Sequence, residues 1–381
     1  MGTLGVSIYP EFTDCSELEQ YVRTASSLGF TRVFTSLLLD RLHFQGSRSF
    51  LAPEFAAAWR MCADLGIRLT ADVDEVVFAQ LGCTPDDLSP LTALGIAALR
   101  VDSGLSGEEL ARLTRNPSGA LVELNASELM VPGLNDGSLE QALRCIRAQG
   151  DLSKTIACFN FYPRRDTGLS AEDMTDTIAL CKSYGVEVSA FVASQTAPSR
   201  LHAPSCGVCT VERHRGLPPE YAMAELFSMG IDCVLLGDVS ASLRELKAMA
   251  RLNTAAELEL PVVYHTWVPE ALRKRLAALA LFSRRDQPEA TVRATDTRGI
   301  LLEPCCCTAR TAYSLTMDNR RGLQYMGEVQ IPLKDLGADP AVSVLGYIHE
   351  SARGLVRFLR YGGRPFRLVD YNNVCQEVQP C

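Results

Sequence analysis

The stretch "TIACFNFYPRRDTGLSAEDMTDTIALCKSYG", residues 155–185, decides the fold. It opens as a buried strand, "TIACFNFY" over 155–162, in which apolar and aromatic residues dominate. Asn160, Tyr162, Arg164, Arg165 and Asp166 then arrive before any helical period begins. Pro163 is expected to end the strand. Ser170, with Asp173 three residues on, reads as a capping-box-like helix start. A helix-period segment follows, and Gly185 closes it as a left-handed stop residue. Strand, polar loop and helix in this order make the repeating unit of a parallel sheet.

The unit recurs along the chain. Strand candidates are "LGVSIYP" (4–10), "TRVFTSLL" (31–38), "IRLTADV" (67–73), "ALRVDS" (98–103), "ALVELNA" (120–126), "TIACFNFY" (155–162), "VEVSAFVAS" (186–194) and "DCVLLGD" (232–238). Helical segments lie between most of them, and several stop at a glycine (Gly29, Gly66, Gly185, Gly230). Eight such units fit an α/β fold of the (β/α)8 TIM-barrel type over residues 1–255. An open doubly wound sheet is the weaker alternative, because no GxGxxG follows the first strand. After Ala255 the texture changes. "ELPVVYHTWV", "ATVRATDTRGILL", "GEVQIPLKDL", "AVSVLGYI" and "LVRFLRYGGRPFRLVDY" read as strands, with one helix at "PEALRKRLAALAL". Residues 256–381 are therefore expected to form a small β-rich second domain.

Composition narrows the function classes. The chain has 381 residues, 47% hydrophobic and 22% charged, with a net charge of −8. That charge argues against nucleic-acid binding, which needs a basic footprint. It leaves room for a small anionic ligand held by a local arginine cluster. No signal-peptide pattern opens the chain and no apolar run is long enough to span a bilayer, so a cytoplasmic protein with no membrane association is expected. The 14 cysteines are scattered, often in apolar runs, and read as free, buried thiols. Cys206-Gly-Val-Cys209 has CxxC spacing near His202, and Cys305–Cys307 is a triplet, but a second ligand pair for zinc is not in view. With five histidines and no HxH or HExxH, neither a metal nor another cofactor is expected.

A barrel enzyme places its chemistry at the C-terminal ends of its strands. Those ends carry Tyr9 and Glu11; Thr35 and Ser36; Asp72 and Asp74; Arg100 and Asp102; Glu123 and Asn125; Asn160, Tyr162 and Arg164; Ser194 and Gln195; and Gly237 with Asp238. The loop after strand seven adds Thr210, Glu212, His214 and Arg215. Any one of these is commonly just a cap for the next helix. Their convergence carries the weight. Two carboxyl groups in one cavity are what glycoside hydrolysis needs, one to protonate the leaving oxygen and one as nucleophile or base. Asp72 and Asp102 sit on neighbouring strands and are expected at equal depth. Arg164, Arg200 and Arg215 lie in the late loops, where barrel enzymes often bind phosphate.

These motifs bear a family resemblance. "LGVSIYPE" (4–11), "GFTRVFTSLL" (29–38), "DLSPLTALGIAALRVDSG" (87–104), "VELNAS" (122–127), "FNFYPRRDTGLS" (159–170), "FVASQ" (191–195), "CTVERHRGLP" (209–218) and "GEVQI" (327–331) are long and colinear, and together the chain resembles the bacterial 6-phospho-N-acetylmuramidases over nearly its whole length. The resemblance implies a barrel followed by a cyclophilin-like β domain. It implies cleavage of the β-1,4 bond between N-acetylmuramic acid 6-phosphate and N-acetylglucosamine, a phosphorylated amino-sugar disaccharide, in peptidoglycan recycling. It places the catalytic acid and its partner among Glu11, Asp72, Asp102 and Glu212. Asn125, Asn160 and Tyr162 would then bind the sugars, and His214 and Arg215 the 6-phosphate or lactyl carboxylate; Ser194 and Arg164, read from their strand-end positions, join the substrate-binding set. The second domain would either close over the barrel mouth or mediate a homodimer. Departures from the family pattern are "DVDEVVF" after strand three, Gly237-Asp238 after strand eight and the triplet at 305–307.

Two rivals stand beside this reading. A Schiff-base aldolase or another sugar-phosphate isomerase on the same barrel is one, although no strand ends in the lysine that an aldolase needs. A non-catalytic phosphosugar sensor is the other.

Overall fold

The computed structural model describes residues 2–38, 53–73, 75–101, 105–127, 139–197, 207–284, 286, 288–362 and 365–371. They divide into two compact units, Met1–Arg251 and Leu252–Cys381. In the first, eight parallel strands close into a barrel in chain order. These are β1 (Thr3–Ser7), β2 (Arg32–Ser36), β3 (Arg68–Val73), β4 (Ala98–Val101), β5 (Leu121–Asn125), β6 (Thr155–Cys158), β7 (Glu187–Val192) and β8 (Cys233–Leu236). β8 pairs back onto β1, with Leu4 opposite Val234 and Val6 opposite Leu236.

The helices form where the apolar period dictates. α1 (Cys15–Ser27) buries Leu18, Val22 and Ala25, one stripe of a 3.6-residue repeat. The glycine stops expected after the helices hold positive φ, +72° at Gly185 and +103° at Gly230, a conformation that costs a residue with a Cβ.

β6 is shorter than its sequence suggests. Phe159 still donates to Ser189 of β7 at 3.0 Å. Asn160 then turns its N–H to the Ser127 hydroxyl at 2.7 Å, and Tyr162 donates to the Cys209 carbonyl at 2.9 Å. The backbone exchanges strand partners for loop partners before Pro163 is reached. Ser170 accepts from the Asp173 N–H at 3.1 Å, yet the helix itself begins later, at Met174.

The barrel interior has two sectors. One is apolar, with Phe34, Cys158, Phe191, Cys233 and Leu235 packed together and Phe161 edge-on to Phe34 and Phe191 at 5.9 and 5.2 Å. The other is ionic and equally buried, holding Arg32, Arg100, Glu123 and Asp72.

The second unit is a seven-stranded sheet in the order β10-β15-β9-β14-β12-β13-β11. Its strands are β9 (Leu258–Tyr264), β10 (Leu281–Phe282), β11 (Thr291–Arg293), β12 (Ser314–Asp318), β13 (Val329–Pro332), β14 (Val342–Ile348) and β15 (Pro365–Asp370). Its two ends meet, since Arg284 donates to the Arg293 carbonyl at 2.9 Å and Thr295 to that of Phe282 at 2.8 Å, so the sheet curls on itself. One expectation fails here. "LVRFLRYGGRPFRLVDY" is not a single strand; it is a helix, Arg353–Gly362, followed by β15. Leu355, Val356, Phe358 and Leu359 are buried, a spacing of one, two and one that fits a helical face and not a two-residue period. No helix among the described residues is long and apolar enough to cross a membrane.

Candidate active site

Strand register builds the site. Ser36 is paired with Asp72, Asp72 with Arg100, and Arg100 with Glu123, so four adjacent strands carry one polar row into the barrel. The Arg100 guanidinium donates to Asp72 Oδ1 at 3.1 Å and to the Asn160 carboxamide oxygen. Ser36 Oγ donates to the other Asp72 oxygen at 3.3 Å. Below them Arg32 donates to Glu123 at 2.9 Å and to Thr70 at 3.2 Å, and the Arg100 Nε lies 4.0 Å from Glu123. The result is a buried line of alternating charge, Arg32–Glu123–Arg100–Asp72, that ends at the C-terminal mouth. Buried charges survive only when paired in this way.

Register shows which β4 residue faces Asp72. The partner of Asp72 is Arg100, two positions before Asp102. Asp102 itself, like Asp74, Arg200, His202 and Cys206, lies outside the described residues.

On the β1 side the wholly buried Tyr9 donates from its hydroxyl to the Gly237 carbonyl at 3.1 Å. Burial raises its pKa above the ordinary tyrosine value, and the charges of Asp238, Asp72 and Glu11 push in the same direction. The charges of three carboxylates, one on β3 and two in the segments that follow β1 and β8, therefore act on one phenol. Burial pushes Asp238 up to about 6, although its Oδ2 accepts from the Ser194 and Val208 N–H groups at 2.8 and 3.2 Å. Glu245 accepts from Ser194 Oγ at 2.9 Å and Gln195 N at 2.6 Å, and caps its own helix through Ser242. Ser194, expected to meet a sugar, spends its hydroxyl on Glu245.

The loops after β6 and β7 are joined by a different device. Arg215 donates to Glu212 through Nε at 2.7 Å and Nη2 at 2.6 Å, and to the carbonyls of Tyr162, Gly207 and Arg164 at 2.9, 2.8 and 3.1 Å. Glu212 also accepts the N–H groups of Asp166 and Gly168 at 3.0 and 2.8 Å. Arg215 and these N–H groups hold its pKa down at about 2. Gly168 is required there, since a Cβ would lie 2.7 Å from both the nitrogen and Oε2 of Glu212. His214 is fully buried and its Nε2 lies 3.0 Å from the Glu225 carboxylate. Of the three groups expected to meet an anion, His214 is bonded to Glu225, and Arg215 to Glu212 and three loop carbonyls. Arg164 is exposed, with no side-chain partner among the described residues. Asn125 lies half-buried at the end of β5, where its Oδ1 accepts from Ser127 N at 2.9 Å. Tyr162 is half-buried, its backbone tied to Cys209 and Arg215.

Sequence reasoning placed Tyr9, Arg100 and Asp238 at strand ends without giving them a role, and passed over Glu245. Arg100 and Asp238 carried a signal, a charge inside an otherwise apolar strand pattern. Glu245 carried another, the Ser242-x-x-Glu245 capping box. Burial raises the thiols of Cys62 and Cys209 to about 12, which makes them poor nucleophiles at neutral pH.

Comparison with known proteins follows this geometry. The family described as 6-phospho-N-acetylmuramidase, N-terminal, matches residues 4–251, and that described as 6-phospho-N-acetylmuramidase, C-terminal, matches residues 258–369. No curated protein matches the chain. Among solved structures, an uncharacterized B. cereus protein superposes with a TM-score of 0.77 at 28% identity, over 97% of this chain and 99% of that one. A conserved Enterococcus faecalis protein of unknown function superposes with a TM-score of 0.68 at 24% identity, over 99% of this chain and 100% of that one, which speaks for the fold.

Proposed function

The chain belongs to the 6-phospho-N-acetylmuramidase family, and on that premise we propose that it hydrolyses the β-1,4 bond between N-acetylmuramic acid 6-phosphate and N-acetylglucosamine. The observation that carries the reading to residues is the buried Asp72 carboxylate, ion-paired with Arg100 at the end of β3, whose charge acts on Tyr9 together with those of Glu11 and Asp238. In this proposal Asp72 is the charged partner. It is ion-paired with Arg100, and a carboxylate held by a guanidinium suits the role of nucleophile or base. Glu11, half-buried beyond β1, donates the proton that leaves with the glycosidic oxygen. Asp238 is nearly fully buried with an oxygen bound to two loop N–H groups, which fits a scaffold role better than contact with a sugar. Glu212 has four donors on its two oxygens, which fits a loop clamp better than a proton donor.

Asn125, Asn160 and Tyr162 are assigned to the sugar hydroxyls and acetamide, and Arg164 to the phosphate or the lactyl carboxylate. Guanidinium groups bind either anion through two parallel bonds. A substrate that already carries a phosphate fits cytoplasmic recycling of cell-wall fragments. The aldolase rival gains nothing, because no barrel strand contains a lysine.

The test is release of N-acetylglucosamine from the phosphorylated disaccharide. Wild type should turn over, and Asp72→Asn and Glu11→Gln should not, with Asp102→Asn run beside them. Binding without turnover, or wild-type rates in all three variants, would sink the proposal.

A further inference from the structure

We infer that Arg100 is the positioning residue of the site, orienting the Asp72 carboxylate and the Asn160 carboxamide as one unit from inside the barrel. The inference rests on the role proposed for Asp72. Three observations support it. Arg100 is only 3% exposed, so its guanidinium sits in a low-dielectric interior where its contacts are strong. Its two terminal nitrogens are divided, one to Asp72 on β3 and one to Asn160 beyond β6. Those residues are 88 positions apart in the chain, as Asp72 and Asn160 are numbered, and Arg100 touches both. Its Nε faces Glu123, which is anchored in turn by Arg32. On that side the guanidinium meets the charge of Glu123, at 4.0 Å, and its planar fork fixes the angle between the two groups that it holds.

The arrangement makes an electrostatic prediction that simple packing does not. Among the described residues, the charged or titratable groups around the Asp72–Arg100 pair are Glu123 on β5 and Arg32 on β2, Tyr9 and Glu11 beyond β1, Asp238 beyond β8, and Cys158 on β6, which also feels Glu123 and Arg100. Arg100 favours the Asp72 anion, while Glu123 opposes it from behind. Removing each should therefore move Asp72 in opposite directions.

The experiment follows the Asp72 carboxyl by 13C NMR in the full chain, assigned by its loss in Asp72→Asn, alongside pH–rate profiles on the phosphorylated disaccharide. Arg100→Met should raise the Asp72 titration midpoint by about one pH unit and lower kcat by about a hundredfold. Glu123→Gln should lower the midpoint. Arg100→Lys keeps the charge but not the fork, so the midpoint should stay near wild type while kcat falls, with KM little changed. It also serves if Arg100→Met does not fold. Movement of the midpoint in the same direction in Arg100→Met and Glu123→Gln, or full kcat in Arg100→Lys, overturns the inference. Full activity in Asp72→Asn instead overturns the catalytic reading, and the NMR shifts then still decide whether Arg100 governs Asp72.

Discussion

Two arginine–carboxylate assemblies lie at the same end of the barrel and do different things. In the loop clamp, Arg215 and Glu212 are three residues apart in sequence, and every polar atom named above has a protein partner. In the strand-borne line, Arg100 and Asp72 come from separate strands and lie in register, aimed at the mouth. The residue types are the same. What separates them is where their hydrogen bonds go. The clamp spends its capacity on backbone groups of the two loops after β6 and β7 and so fixes loop shape. The line spends its capacity on other side chains, and that fixes the direction of chemical groups instead.

The sharpest way to break this contrast is to remove the charge at each centre. Asp72→Asn should cost on the order of a thousandfold or more in kcat/KM with the fold intact, by circular dichroism and melting. Glu212→Gln should leave kcat within about tenfold and chiefly lower stability. If both variants are equally dead and equally stable, the division between clamp and line is wrong. Arg215→Ala comes next. Loss of its ion pair and three carbonyl contacts should destabilise the protein by about 3 kcal/mol in denaturant titration. An unchanged unfolding midpoint would mean that the loops do not depend on it.

Arg164 tests the anion assignment. Arg164→Ala should raise KM by about tenfold for the phosphorylated disaccharide, about 1.4 kcal/mol, and much less for the same disaccharide without its phosphate. Equal effects on both substrates would remove Arg164 from phosphate recognition. The smallest effect concerns pH. Glu212 and Glu225 titrate near 2 in the folded chain, below the ordinary glutamate value. Their contribution is fully present above that ordinary value and is lost as the pH falls toward 2. Asp238 titrates near 6, above the ordinary aspartate value, so its contribution is present at low pH and lost as the pH rises through 6. Urea unfolding from acid to neutral pH should therefore flatten at the acid end in Glu212→Gln and at the neutral end in Asp238→Asn.

Much of the barrel was legible in the residues. Each of the eight strand candidates contains or overlaps a strand of the barrel, because runs such as "DCVLLGD" and "VEVSAFVAS" announce burial on both faces locally. The helix at Arg353–Gly362 was missed because arginines interleaved with apolar residues imitate a strand over a short window. The site was legible only as a set of strand ends. Nothing in "ALRVDS" says that Arg100, and not Asp102, is the register partner of Asp72. Nothing in "CTVERHRGLP" says that His214 turns toward Glu225 while Arg215 reaches back to Tyr162.

The sequence by itself determined the succession of strands and helices, the end of each strand where polar groups collect, and the family through its long colinear motifs. Those are properties of neighbours in the chain, set by side-chain period and by glycine at helix stops. The tertiary structure decided which polar groups meet. Arg32 reaches Glu123 across 91 residues and Arg100 reaches Asn160 across 60. Such pairings depend on strand register and barrel closure, which change every partner if a strand slips by one residue.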